Sequence, residues 1–91
     1  MQQYELTVIF KPELTEEKAD TLIDTFKMKT IHRQVWGKRL LAYPIEKQKE
    51  GFYVHMVVDI MPEQAKAFER SVQLQDNIIR YLLIRSEKEI N

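Results

Sequence analysis

Apolar side chains take every second position near the start of the chain: Tyr4, Leu6, Val8 and Phe10. A period of two predicts a β-strand with one buried face, and Pro12 would close that strand. The next apolar residues recur instead at helical spacing: Ala19, Leu22, Ile23 and Phe26. Thr15 can cap this predicted helix, which we expect to end near Lys29.

A second extended run begins at Thr30 and continues through the segment from Trp36 to Ile45. Pro44 cannot donate to a sheet ladder, so it confines this predicted strand to a sheet edge, a strand end or a bulge. The polar stretch from Lys47 to Gly51 then predicts a hairpin into a third strand, from Phe52 to Ile60.

Pro62 fits the first turn of a second helix, whose apolar positions are Ala65, Phe68 and Val72. A turn at Asp76-Asn77 separates that helix from a fourth strand. This strand alternates between two faces, with Ile79, Tyr81 and Leu83 on one and Arg80, Leu82 and Ile84 on the other. We expect the charged tail from Arg85 to Asn91 to lie in solvent.

The order strand, helix, strand, strand, helix, strand predicts an α+β domain over residues 1–91. Its class is the ferredoxin-like split β-α-β fold, a four-stranded antiparallel sheet with two helices on one face. We expect the first and last strands to lie in the middle of the sheet. The second and third strands would form a hairpin, and its second strand would lie at one edge. The uncovered face would mix polar and apolar side chains: Glu5, Thr7, Ile9, Tyr53, His55, Val57, Arg80, Leu82 and Ile84.

The composition is that of a soluble globular domain, with 44% hydrophobic and 31% charged residues in a chain of 91. The chain has no cysteine, which excludes disulfides, thiolate metal sites and a cysteine nucleophile. Its two histidines are far apart, so we expect neither a metal site nor a cofactor. No signal-peptide pattern and no membrane-spanning apolar stretch is found, which predicts a cytoplasmic protein.

The formal net charge is zero, but the charges are unevenly placed. Between Lys27 and Lys49 there are seven basic residues and one acidic residue, Glu46. This basic segment overlaps the predicted edge strand. Two interpretations are therefore about equally favoured, namely contact with a polyanion and a merely solvated surface. Lys38 and Arg39 are neighbours within it, so in a strand their side chains point to opposite faces.

The sequence contains no nucleophile motif, glycine-rich phosphate loop or metal-ligand spacing, so we expect no catalytic residue. His55 lies between Tyr53 and Val57 on the predicted open face. A lone histidine in such a position is more often a hydrogen-bonded surface residue than a catalytic base or a metal ligand. The third strand begins with Gly51-Phe52 as the RNA-recognition motif does, but Tyr53 and Val54 depart from that signature. We therefore expect no base stacking on the third strand.

The run from Leu41 to Ile45, which follows the basic pair Lys38-Arg39, is the most specific motif, because neither core packing nor turn chemistry demands it. Other characteristic segments are Tyr4 to Ile9, Lys11 to Thr15, Trp36 to Arg39, Lys47 to Tyr53, Asn77, and Arg80 to Leu82. In these segments the chain resembles the family of the sixth protein of the bacterial small ribosomal subunit. The family's usual glycine-containing turn before the second strand is missing.

The resemblance implies a structural role in the cytoplasmic ribosome, namely binding of small-subunit ribosomal RNA together with the eighteenth small-subunit protein, a basic and partly extended partner. The expected RNA-binding residues, which would neutralise phosphates, are Lys38, Arg39, Arg80 and Arg85. The expected partner-binding residues are Tyr43, Pro44, Leu82 and Ile84. The alternatives are a ferredoxin-like regulatory domain that binds a small molecule and an acyl-phosphate hydrolase of this topology, for which the first loop lacks an arginine cradle.

Overall fold

Six secondary-structure elements follow one another in the predicted order, in a computed structural model that describes residues 2–45 and 47–86. They are β1 (Gln2–Phe10), α1 (Glu16–Asp24), β2 (Lys29–Ile45), β3 (Gln48–Ile60), α2 (Pro62–Val72) and β4 (Ile78–Arg85). The predicted fold class is confirmed. The predicted start of the charged tail at Arg85 was wrong, because Arg85 belongs to β4 and Ser86 is buried, and the rest of the tail, from residue 87 on, lies outside the described residues.

The four strands form one antiparallel sheet in the order β2-β3-β1-β4. The expectation that the first and last strands are central was wrong, because β1 and β3 are central and β4 lies at an edge. Each helix connects two parallel strands that are not neighbours in the sheet. Helix α1 joins β1 to β2, which are separated by β3, and α2 joins β3 to β4, which are separated by β1. The prediction that the segment from Trp36 to Ile45 lies at a sheet edge is confirmed, since it belongs to β2.

The hydrophobic core lies between one face of the sheet and the two helices. It is formed by alternate residues of the central strands and one side of each helix: Leu6, Val8, Phe10, Ala19, Ile23, Phe52, Val54, Met56, Val58, Ile60, Ala65, Phe68 and Val72. Phe68 meets Phe26 and Tyr81 edge-on, at centroid distances of 4.8 and 5.6 Å. Both helices cover this one face. No helix in the described part of the chain covers the other face of the sheet, which is the open face.

Helix α1 begins as predicted and ends earlier than predicted. The Thr15 hydroxyl accepts a hydrogen bond from the Lys18 backbone N–H at 3.2 Å, which caps the first turn. The helix ends at Asp24 rather than near Lys29, because Lys27 takes a left-handed conformation with φ of +53°. A lysine there stands where a glycine would be unstrained, and the conformation costs roughly 1–2 kcal/mol.

The β2-β3 hairpin is tighter than predicted. Ile45 pairs with Gln48, and Lys47 before Gln48 has a φ of +67°. Strand β3 therefore begins at Gln48 instead of Phe52. Of the polar residues that predicted a loop, Gln48, Lys49 and Glu50 belong to β3, and their side chains remain in contact with water.

Candidate nucleic-acid interface

The open face is built from alternate residues of all four strands. Side chains directly opposite each other in antiparallel strands point to the same face. The register aligns Glu5 with Val57 and Ile84, Thr7 with His55 and Leu82, and Ile9 with Tyr53 and Arg80. These nine residues are the predicted open-face set, and all nine lie on the face opposite the core.

Strand β2 bulges near its end. Leu40 pairs with Glu50 and Ile45 with Gln48, so four residues of β2 stand against a single residue of β3. Pro44 lies in this bulge, where the missing N–H leaves no ladder bond unmade. The prediction that Pro44 requires a sheet edge, a strand end or a bulge is confirmed, since Pro44 lies in a bulge near the end of an edge strand.

The bulge brings β2 over the open face towards β4. Tyr43 reaches Arg80, whose guanidinium donates a 2.7 Å hydrogen bond to the Tyr43 hydroxyl. Beneath it is a cavity of about 280 Å³ with a mostly apolar lining that includes Ile9, Leu41, Tyr43, Ile45, Tyr53 and Leu82. The cavity thus joins the end of β2 to the middle of β4.

Gly51 allows the side chains beside this cavity to pack closely. A Cβ atom at this position would lie 2.4 Å from Ile9 Cγ2 and 3.6 Å from Leu41 Cδ2. The first distance is far below any van der Waals contact, so a larger residue would displace Ile9. The glycine that the sequence marked as the end of a loop is needed here for packing inside a strand.

A stack of aromatic rings occupies the open face beside β2. The Trp36 indole stacks on the His55 imidazole, with centroids 5.1 Å apart and planes 9° apart, and lies 6.4 Å from the Tyr53 ring. The Arg39 guanidinium lies over the indole at 5.3 Å. Sequence reasoning missed this stack, because it requires the pairing register of β2 and β3, which has a shift between Val35 and Gly37 where Trp36 lies.

His55 is held by polar neighbours on the same face. Its Nδ1 lies 3.0 Å from Thr7 Oγ1, and its Nε2 lies 3.9 Å from Glu5 Oε1. A half-buried, hydrogen-bonded and stacked imidazole fits the predicted surface role. Within the described residues, no group of histidines and carboxylates is arranged to hold a metal ion.

The four predicted RNA-binding cations are all exposed but do not share one face. Arg39 pairs with Gly51, and Arg80 aligns with Ile9, so both lie on the open side. Lys38 pairs with Phe52 and therefore lies on the helix side, as expected for the neighbour of Arg39. Arg85 aligns with Tyr4, which packs against the core, and so also lies on the helix side.

The four predicted partner-binding residues are likewise exposed, and they lie closer together. Tyr43 and Leu82 line the same cavity, although they come from opposite edges of the sheet. Pro44 follows Tyr43, and Ile84 is the next open-face residue of β4 after Leu82. Tyr43 is 58% exposed, so its side chain does not belong to the hydrophobic core.

These features define a class: a small ferredoxin-like α+β domain whose uncovered sheet face carries cations, stacked aromatics and an apolar cavity, as binding modules do. Among the described residues, no helix is both long and apolar enough to cross a membrane.

The chain belongs to the ribosomal protein S6 family, whose sequence profile matches residues 3–85. It is 38% identical to the small ribosomal subunit protein bS6 of Caldanaerobacter subterraneus, over 96% of this chain and 99% of that one. The bS6 of Desulforamulus reducens is also 38% identical, over 93% and 97% of the two chains. The crystal structure of S6 from Thermotoga maritima superposes with a TM-score of 0.81 at 25% identity, covering 93% of this chain and 87% of that one.

These similarities confirm the resemblance found in the sequence. The family is one of small-subunit ribosomal proteins rather than of enzymes, and its place is the ribosome of the cytoplasm. The alternatives of a metabolite-binding regulatory domain and an acyl-phosphate hydrolase are thereby set aside.

Proposed function

We propose that this protein is a structural constituent of the small ribosomal subunit that binds small-subunit ribosomal RNA together with the eighteenth small-subunit protein. The observation that carries the proposal is the composition of the open face. Arg39 and Arg80 lie on the same side of the sheet as an apolar cavity with exposed walls. One surface therefore offers phosphate-binding groups and a protein-docking site side by side.

The RNA contacts in this proposal are few. Arg39 and Arg80 point to the open side, whereas Lys38 and Arg85 lie on the helix side of opposite sheet edges. An RNA strand that crosses the open face therefore meets two of the four cations directly, and the other two act at its margins. Because each neutralised phosphate contributes through counterion release, two to four contacts give weak binding that does not depend on sequence.

The protein contacts in this proposal centre on the cavity. Leu82 is 57% exposed, and Tyr43 and Ile84 are exposed beside it. Burying such side chains is favourable at roughly 25 cal/mol per Å² of apolar surface. A basic, partly extended partner lying over β4 would cover them and would add the phosphate contacts that this neutral chain lacks.

The proposal is tested by cosedimentation with small ribosomal subunits from a cell lysate, using wild-type protein and two variants. Leu82→Glu places a carboxylate at the cavity and should abolish cosedimentation. The matched control is Leu74→Glu, since Leu74 is 81% exposed and lies just beyond α2, away from the open face. Failure of the wild-type protein to cosediment, or equal loss in both variants, would contradict the proposed interface.

A further inference from the structure

The Trp36 indole is already fixed in a geometry suited to a flat ligand. Stacking on His55 sets its plane, and its Nε1 donates to Gln34 Oε1 at 3.3 Å. The residue nevertheless remains 39% exposed. A ligand that stacks on it would therefore order little of the protein, and preorganisation of this kind favours binding.

The Arg39 guanidinium is an exchangeable neighbour of this ring. It is exposed, lies 5.3 Å from the indole centroid and donates a long hydrogen bond, 3.5 Å, to the Trp36 carbonyl. A cation over an indole at an exposed site shifts an equilibrium by only about 2- to 5-fold. Stacking of a nucleobase on an aromatic side chain is worth roughly 5- to 150-fold. Exchange of the guanidinium for a base is therefore favourable.

We propose that Trp36 is a stacking site for an unpaired nucleobase of RNA, which takes the place of the Arg39 guanidinium over the indole. The displaced guanidinium then binds a phosphate that flanks the base. The proposal rests on the RNA-binding function proposed above and assigns a role to a residue outside the four predicted cations. Bases in a duplex already stack on each other, so the site selects single-stranded nucleotides.

Nearby charge favours RNA over a protein as the ligand of this site. Lys38 and Arg39 follow Trp36 within three residues, so a polyanion is attracted to this part of β2. The lining of the apolar cavity assigned to the protein partner does not include Trp36, although Tyr53 lines the cavity and lies 6.4 Å from the indole. The two ligands therefore have adjacent places on the open face.

The fluorescence of Trp36 tests the proposal directly, because the chain has a single tryptophan. The wild-type protein is titrated at low salt with a mixed-sequence single-stranded RNA decamer, with the same decamer as a duplex, and with an abasic ribose-phosphate decamer of equal charge. We expect saturable quenching by the single strand and little by the other two. Equal quenching by the abasic decamer would overturn the proposal, since charge alone would then explain the signal.

Variants provide a second measurement that does not depend on tryptophan emission. Anisotropy of a labelled decamer should show affinity roughly 5- to 150-fold lower for Trp36→Leu. Trp36→Phe keeps an aromatic ring and should therefore lose less affinity than Trp36→Leu. The matched control Val35→Ala changes an exposed neighbour on β2 and should leave affinity unchanged. Circular dichroism melts identify a variant that has lost its fold, and the wild-type quenching experiment then decides.

Failure of this site can be told apart from failure of the proposed function. If a small-subunit RNA fragment binds, with or without the eighteenth protein, and Trp36 emission stays constant, the stacking site is wrong and the proposed function stands. If adding that protein changes the emission and RNA does not, Trp36 belongs to a protein interface and the proposal is overturned. If no RNA fragment binds even with the protein present, the proposed function itself fails.

Discussion

The Arg80 guanidinium donates a 2.7 Å hydrogen bond to the Tyr43 hydroxyl, which links two residues 37 positions apart on strands that do not pair with each other. The bond ties the bulged end of β2 to β4 across the open face. It also joins a residue predicted to bind RNA with one predicted to bind a protein. The guanidinium has five N–H donors, so Arg80 can keep this bond while other donors bind a phosphate, and the two functions meet at one contact.

Tyr43→Phe removes this hydrogen bond while keeping the ring. We expect the free energy of unfolding to fall by about 0.5–1.5 kcal/mol, towards the lower end because both groups are exposed. A double-mutant cycle with Arg80→Met, measured by urea denaturation, should show a favourable coupling of similar size. Tyr53→Phe is the matched control, as no hydrogen bond of its hydroxyl is found within the described residues. Zero coupling would show that the bond does not hold the bulge.

Gly51→Ala should destabilise the protein by about 1–3 kcal/mol, because the new Cβ would lie 2.4 Å from Ile9 Cγ2. Ile9→Ala removes the clashing methyl group, so the double variant should lose less than the sum of the two single variants. Gly37→Ala is the matched control. Its Cβ would meet nothing within 4 Å, and its cost comes from a φ of +79°, so Ile9→Ala should not relieve it. Additive losses for Gly51 and Ile9 would contradict the packing role.

Burial raises the pKa of Tyr81 above its ordinary value of 10.0, and the nearby Glu69 carboxylate, which accepts a 3.2 Å hydrogen bond from the phenol, raises it further. The folded state therefore holds the phenolic proton more tightly than the unfolded chain does. This contribution to stability is complete below pH 10 and is lost as the pH rises through the folded-state pKa.

Glu69→Gln should lower the pKa of Tyr81 in a spectrophotometric titration, because the negative charge is removed. Glu63→Gln, on the first turn of the same helix, is the control and should leave the titration unchanged. Alkaline unfolding should also be less steep for Tyr81→Phe than for wild type. A Tyr81 pKa that is the same in Glu69→Gln and wild type would show that the carboxylate has no influence.

Arg39→Ala and Arg80→Ala should each weaken RNA binding on all sequences and flatten the salt dependence by about 0.7–0.9 in log–log slope, which is one phosphate contact. Two controls are available. Tyr43→Phe keeps the charge of Arg80 and should preserve the slope, and Lys66→Ala removes an exposed cation from α2 and should also preserve it. Unchanged slopes in both arginine variants would exclude phosphate contacts by these residues.

The sequence predicted the parts of this fold that follow from periodicity. Alternation in β1 and the helical spacing on α2 are direct consequences of burying one face, so the elements and the open face could be inferred. The end of α1 could not, because Lys27 takes a left-handed conformation without a glycine to mark it. The order of the strands in the sheet could not be inferred from periodicity, because each helix connects two strands that are separated by another strand.

The site was predicted as a list of residues, but its geometry was not. Tyr43 and Arg80 meet only because four residues of β2 bulge against one of β3, and alternation carries no signal for that. Trp36 lies at a second register shift, beside Gly37. Glycine on a predicted edge strand is the signal that could have indicated such a bulge.

The central claim is that RNA binding by this neutral chain depends on a basic protein partner. Its most direct test is to titrate a small-subunit ribosomal RNA fragment with this protein, in the presence and absence of the eighteenth small-subunit protein. Alone, the chain should bind with a Kd of about 10⁻⁴ to 10⁻⁶ M, in the non-specific range. With the partner present, affinity should rise roughly 5- to 150-fold, a typical coupling between two sites. Tight, specific binding by this chain alone, with no gain from the partner, would contradict the account.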